Sequence, residues 1–307
     1  MSATGPVRAV AWGAAVAAAR AEDRPIVALE SSVLAQGLPI PANREAERRM
    51  CDAVVAGGAV PAVTAVVRGV PTLGLSGEDR ERFLARDGVA KVSARDLPVT
   101  MAQGRDGATT VAAALALAAA GGIEVFATGG IGGVHREAPF DESADLAELA
   151  RTSVVTVCAG AKSILDLPAT LERLETLGVT VVGVGTDEFP GFFTARTGLP
   201  VPARADTPEA VARIVRASRA LGRPGGLLVV QPPPVPTALE ADVVDDAVRE
   251  ALREAATAGV RGAAVTPYLL AAVERATGGR SLAANLALLE ANAALAARIA
   301  VALAAEV

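Results

Sequence analysis

Short runs of valine, isoleucine and alanine alternate along this chain with longer stretches in which apolar residues return every three or four positions. The short runs have the length and β-branched content of buried strands, and the longer ones the period of helices with one buried face. Strands are predicted at Ile26–Leu29, Val89–Val92, Glu124–Ala127, Val154–Cys158, Val179–Val184 and Gly226–Val230. Helices are predicted at Val7–Arg20, Ala42–Ala56, Ala108–Ala120, Ser163–Leu177, Pro208–Leu221, Leu239–Ala258 and Leu282–Ala305. Asp206 and Thr207 ahead of Pro208 form a capped helix start, and Gly178 closes the helix ending at Leu177. Such alternation specifies an α/β fold, a mostly parallel sheet flanked by helices (α/β/α), in a single large domain over residues 1–307. The proline-rich stretch Gln231–Pro236 is short and follows a strand, so it reads as a rigid loop.

In open parallel sheets, ligands bind beyond the carboxyl ends of the strands. The polar residues of this sequence fall there: Glu30, Thr128, Lys162, Asp187 and Gln231 each follow a predicted strand.

Composition narrows the chemistry. With 307 residues, 51% of them hydrophobic, the chain buries a large core without disulfides. No apolar run reaches the roughly 18 unbroken residues of a membrane span, and Arg20, Glu22, Asp23 and Arg24 interrupt the alanine-rich N-terminal stretch where a leader would need continuity. A cytoplasmic location is the expectation. Cys51 and Cys158 stand far apart and read as reduced core thiols. A net charge of −5 with 3% aromatics argues against a nucleic-acid groove, while leaving room for a positive pocket that binds a phosphorylated small molecule. Of 29 basic side chains only Lys91 and Lys162 are lysine. Arginine serves as well as lysine on a solvated surface; a lysine kept in such company points to an amine that sheds its proton and attacks a carbonyl.

Several motifs are weighed and some fail. Thr128–His135 reads Thr-Gly-Gly-Ile-Gly-Gly-Val-His, but its spacing does not fit a dinucleotide fingerprint, leaving either a ligand loop or a structural turn. Ala159–Ser163 lacks the glycines of a P-loop. Gly107–Thr110 precedes an alanine-rich helix and offers amides and hydroxyls either to a phosphate or to the helix as a cap. His135 is the only histidine, which excludes a multi-histidine metal site. Asp141, Ser143 and Asp145 supply hard oxygens suited to Mg²⁺ or Mn²⁺, or begin a solvated helix.

The segments Ala28–Pro41, Val89–Pro98, Gly107–Ala112, Ala127–Asp145, Val157–Asp166 and Gly185–Phe189, followed by Thr266–Leu270, Thr277–Leu282 and Asn285, together resemble the pseudouridine-5′-phosphate glycosidase family, which also includes indigoidine-cluster proteins. The resemblance implies reversible cleavage of the C–C glycosidic bond of pseudouridine 5′-phosphate to uracil and ribose 5-phosphate. It implies that Lys162 forms a Schiff base with the ring-opened sugar and that Glu30 exchanges protons. Substrate contacts are implied for Lys91, Val111, Ser143, Ala144 and Asp145, and pocket positions for Thr128, His135 and Asn285. Thr110 joins them from the loop before the alanine-rich helix. Asp141 is implied to hold Mn²⁺, largely through water, and the assembly is implied to be a homotrimer with no nucleic-acid or membrane partner. His135–Phe140 departs from the family pattern in being shorter and lacking a glycine after the arginine.

Overall fold

The computed structural model describes residues 10–136, 141–260 and 265–305. The strands, in chain order, are β1 (Ala11–Trp12), β2 (Ile26–Leu29), β3 (Val60–Val67), β4 (Val70–Leu73), β5 (Ala90–Val92), β6 (Gly107–Thr109) and β7 (Val125–Ala127). They continue as β8 (Val134–His135), β9 (Val155–Cys158), β10 (Leu165–Asp166), β11 (Thr180–Val184), β12 (Ala203–Ala205) and β13 (Leu227–Val230). The helices are α1 (Ala14–Ala21), α2 (Ala42–Ala56), α3 (Gly77–Ala85), α4 (Leu97–Ala102), α5 (Val111–Gly121) and α6 (Ala144–Arg151). After them come α7 (Leu167–Thr176), α8 (Pro208–Ala220), α9 (Ala241–Thr257), α10 (Val265–Ala276) and α11 (Arg280–Ala304).

One 11-stranded sheet runs through the molecule in the order β1-β4-β3-β2-β7-β9-β13-β11-β12, with β6 beside β3 and β5 beside β6. From β3 to β12 along that path every pairing is parallel, whereas β3 meets β4 and β6 in antiparallel fashion. The central strands are buried throughout, which is why they read as unbroken apolar runs. Helices flank the sheet, as the alternation required.

The winding direction changes between β2 and β7. Strand β2 is followed in space by β3 on one side, and β7 by β9 on the other. A crevice therefore opens beyond the carboxyl ends of β2 and β7, the place where open α/β sheets take ligands.

Helix α11 closes the core. Among the described residues it is the one helix long and apolar enough to cross a membrane, but it packs on β2, β7 and β9 with α2 and α8 beside it. Leu288, Ala293, Ala296, Ala297 and Ile299 are fully buried there. Arg216 of α8 satisfies its final carbonyls, donating from Nη2 to Ala302 O and Ala305 O at 2.9 Å each.

Three helix starts need correction. The Val7–Arg20 helix begins only at Ala14, because Gly13 N–H donates to Leu73 O (2.9 Å) and the chain before it lies along β4 as a strand; residues 7–9 lie outside the described residues. The expected strand Val89–Val92 is present as β5, paired in parallel with β6 at the edge of the sheet. The Ala108–Ala120 helix starts at Val111, because Thr109 is drawn into an extended, buried network: its N–H donates to Ser31 Oγ (2.9 Å), and its hydroxyl lies 2.7 Å from that of Thr64. The Ser163–Leu177 helix starts at Leu167. Leu165 and Asp166 pair with His135 and Val134, and Asp166 then caps the helix by accepting from Ala169 N–H at 3.0 Å.

Candidate active site

Glu30 follows β2, Thr128 follows β7, and Lys162 lies in the loop after β9. Since these strands are neighbours in the sheet, the three side chains converge. They line one pocket together with Lys91 from β5, Asn285 from α11, and Thr266 and Leu270 from α10.

Two loops set Lys162 in place by zipping together. Ala159 N–H donates to Gly129 O (2.8 Å), Ile131 N–H to Gly160 O (3.0 Å) and Lys162 N–H to Ile131 O (3.1 Å). The turn needs glycine at 160, where φ is +82° and a β-carbon would stand 1.9 Å from the carbonyl oxygen of Pro190. The glycines of Thr128–His135 serve close packing. A β-carbon on Gly130 would strike the Phe192 ring at 2.5 Å, and one on Gly132 would meet Ser143 Oγ at 2.3 Å.

Glu30 is 6% exposed. Ser32 Oγ donates to its Oε2 at 2.7 Å, and the Thr128 hydroxyl donates to its Oε1. A carboxylate with a hydroxyl on each oxygen is held in one orientation. Lys91 presents an exposed flank, but its amine is partly enclosed. That desolvation first, and the charge of Lys162 second, hold its pKa below the ordinary lysine range, with Glu30 and Asp145 pulling the other way.

The remaining expected residues do not line this pocket. Thr110 caps α5, accepting from Ala113 N–H at 3.4 Å, and Val111 is the buried first residue of that helix. Ser143 caps α6, accepting from Asp145 N–H at 3.2 Å, and Ala144 opens the helix with an exposed side chain. Asp145 joins the two helices: its Oδ1 accepts from Ala112 N–H (2.9 Å) and its Oδ2 from Gly132 N–H (2.8 Å). His135 lies in β8, half-buried, with its N–H on Asp141 O at 2.9 Å. Residues 137–140, where the family pattern is shortened, lie outside the described residues. Asp187, expected at the strand ends, is exposed and paired with Arg204 at 2.6 Å, away from the pocket.

Asp141 is exposed. Among the described residues no three His, Cys, Asp or Glu side chains form a metal-ligand cluster. Glu142 is engaged by Arg173 through both oxygens (2.8 and 2.9 Å), and Asp145 by its two amides. The described residues around Asp141 therefore do not form a closed protein cage for a cation.

The Indigoidine synthase A like protein family model matches residues 15–302. The chain belongs to this family. A family relative from Gemmatimonas aurantiaca named pseudouridine-5′-phosphate glycosidase is 71% identical over 91% of this chain and 91% of its own length. Another of that name, from Herpetosiphon aurantiacus, is 53% identical over 94% and 96%. The crystal structure of the prealnumycin C-glycosynthase AlnA in complex with ribulose 5-phosphate matches with a TM-score of 0.90 at 38% identity, covering 97% of this chain and 98% of that one. An indigoidine synthase A-like protein from Thermotoga maritima matches with a TM-score of 0.89 at 36% identity, covering 99% and 100%. This member of the indigoidine synthase A like family is thus an enzyme with an α/β/α fold.

Sequence reasoning missed several residues of this family member's pocket. Ser32 stands beside Glu30 and was hidden by its ordinary composition. Gln36 lies in a π-helical turn over Val33–Gly37, where the backbone departs from regular periodicity. Asn292, just behind the pocket, had a legible signal: it stands seven residues from Asn285, on the same face of a mostly apolar helix.

Proposed function

We propose that this enzyme makes and breaks the C–C glycosidic bond of pseudouridine 5′-phosphate, interconverting it with uracil and ribose 5-phosphate through a Schiff base on Lys162. The observation that carries the reading is the meeting of Lys162, Glu30 and Lys91 around one pocket at the switch point of the sheet. A C-glycoside has no leaving oxygen or nitrogen to protonate, so the two-carboxylate route of O-glycosidases is ill suited to it. An imine solves the problem. The Lys162 amine adds to C1′ of the open-chain sugar and water leaves, making C1′ electrophilic. In synthesis a uracil carbon attacks C1′, and Glu30 accepts the proton that this carbon loses. In cleavage Glu30 returns it and the C–C bond breaks, its electron pair staying on the uracil ring while the lone pair of the Lys162 nitrogen re-forms the iminium at C1′. Closure of the sugar by its own hydroxyl, or attack by water, releases the lysine. Lys91, on the pocket wall, is the cation suited to the phosphate.

Asp141 would hold Mn²⁺, with most of the shell supplied by water, and the ion would supply charge neutralisation for a phosphorylated substrate. Free Cys51 and Cys158, whose thiols burial pushes up to about 12, suit a reducing cytoplasm. A homotrimer is proposed on the family resemblance, and sedimentation equilibrium decides it.

The test is incubation of the purified enzyme and Mn²⁺ with uracil and ribose 5-phosphate, followed by mass analysis. Pseudouridine 5′-phosphate is the expected product. No product in either direction refutes the reading. A second reading has one observation in its favour: the structural relative bound to ribulose 5-phosphate is named a C-glycosynthase. Turnover of another aromatic acceptor or sugar phosphate in preference to uracil and ribose 5-phosphate would select it.

A further inference from the structure

Behind the pocket lies a buried polar group that takes no direct part in the proposed chemistry. Asn292 is 1% exposed, near the middle of α11. Its Nδ2 donates to the carbonyl oxygens of Thr128 (2.8 Å) and Gly129 (3.2 Å), and its Oδ1 accepts from Gln231 Nε2 at 2.9 Å. Both the donor and the acceptor of the carboxamide are thereby engaged. Gln231 is itself fixed by its N–H to Cys158 O at 3.1 Å. The carboxamide therefore clamps the peptide leaving β7 against the end of β13, in a place water does not reach.

That peptide carries the Thr128 hydroxyl that donates to Glu30. Its other attachments are Thr128 N–H to Val157 O (3.0 Å) and Ala159 N–H to Gly129 O (2.8 Å), both on the β9 side. With small glycines at 129 and 130, the α11 side offers Leu288, Leu289 and Phe192 as apolar neighbours. Apolar contact limits how near the peptide comes but does not set its rotation; a hydrogen bond to each of two successive carbonyls does both.

We propose that Asn292 is a positioning residue, which orients Thr128 and through it the carboxylate of Glu30. The proposal rests on Glu30 exchanging a proton in the reaction given above. Asn292→Leu keeps the volume and removes the donors. Its kcat is expected to fall about tenfold to a hundredfold, as small misplacements of reacting groups do, while KM stays within about twofold. Thr128→Val removes the hydroxyl that Asn292 is held to act through. The double variant is expected to be no slower than Thr128→Val alone, since groups acting in series do not add.

Losses that simply add in the double variant would overturn the proposal, as would an unchanged kcat in Asn292→Leu. Rates are normalised to the folded fraction from urea titration, and Asn292→Ser replaces the leucine variant if that one does not fold. Crystal structures of the wild type and variant test the proposal independently of any substrate. Loss of the Thr128 to Glu30 hydrogen bond in the variant is expected, and its persistence there refutes the proposal even if the enzyme acts on a different sugar phosphate. Failure of the wild type with uracil and ribose 5-phosphate, with the bond lost in the variant, would instead sink the substrate reading alone.

Discussion

Exchanging Lys162 for arginine separates charge from nucleophilicity. The guanidinium keeps the cation, so an electrostatic role survives in part, but it does not form an imine. Lys162→Arg is expected to be folded and inactive, and borohydride added to the wild type with ribose 5-phosphate is expected to fix the sugar to the peptide spanning Ala161–Ser163. Adduct on Lys91 would exchange the roles of the two amines. Glu30→Gln fills the same space and still engages Ser32, but exchanges no proton; turnover should fall at least about a hundredfold with substrate binding retained, and calorimetric titration against stopped turnover checks it. Lys91 gives a sign for pH dependence. Its pKa is depressed by desolvation and by Lys162, so its positive charge is lost on the alkaline side earlier than for an ordinary lysine. Affinity for ribose 5-phosphate should therefore decline with rising pH below the usual lysine range, and Lys91→Arg should hold its affinity across that range. Asp141→Ala should lose Mn²⁺ binding and most activity with an unchanged melting temperature; full activity of this variant in chelator would remove the metal from the account.

Much of this was readable at the residue scale because the chemistry demanded unusual residues. Two lysines among 29 basic side chains advertise themselves, and both line the pocket. Ser32 does not: serine is common, and only the bend after β2 shows that its hydroxyl turns back to Glu30.

At the scale of elements, the central strands β2, β7, β9, β11 and β13 were legible because burial on both faces leaves unbroken apolar runs. The β3–β4 hairpin was not. Pro61 interrupts the run Val60–Val67, and the neighbouring strand β6 hides in an alanine-rich segment whose propensity is helical. Tertiary contacts decide there: the Ser31, Thr64 and Thr109 hydroxyls satisfy one another and the backbone in an extended arrangement no local preference announces. Asp145 is another case. Asp141 and Asp145, with Ser143 between them, read as metal or substrate ligands, yet Asp145 accepts two backbone N–H bonds that join α5 to the glycine loop. Asp145→Asn turns one acceptor oxygen into a donor facing a donor, so a loss of about 1–3 kcal/mol is expected. Urea unfolding measures it, and a variant as stable as wild type would show that the clasp is idle.

Across the whole molecule, the order in which the chain is made bears on how it folds. Helix α11 is the wall against which β2, β7 and β9 close, although it stands at the far end of the chain from the first of them. During synthesis those strands leave the ribosome long before their cover exists. Contacts so distant in sequence carry a large closure entropy and form late. Until residue 304 has emerged, the apolar faces of β2, β7 and β9 lack the helix that covers them.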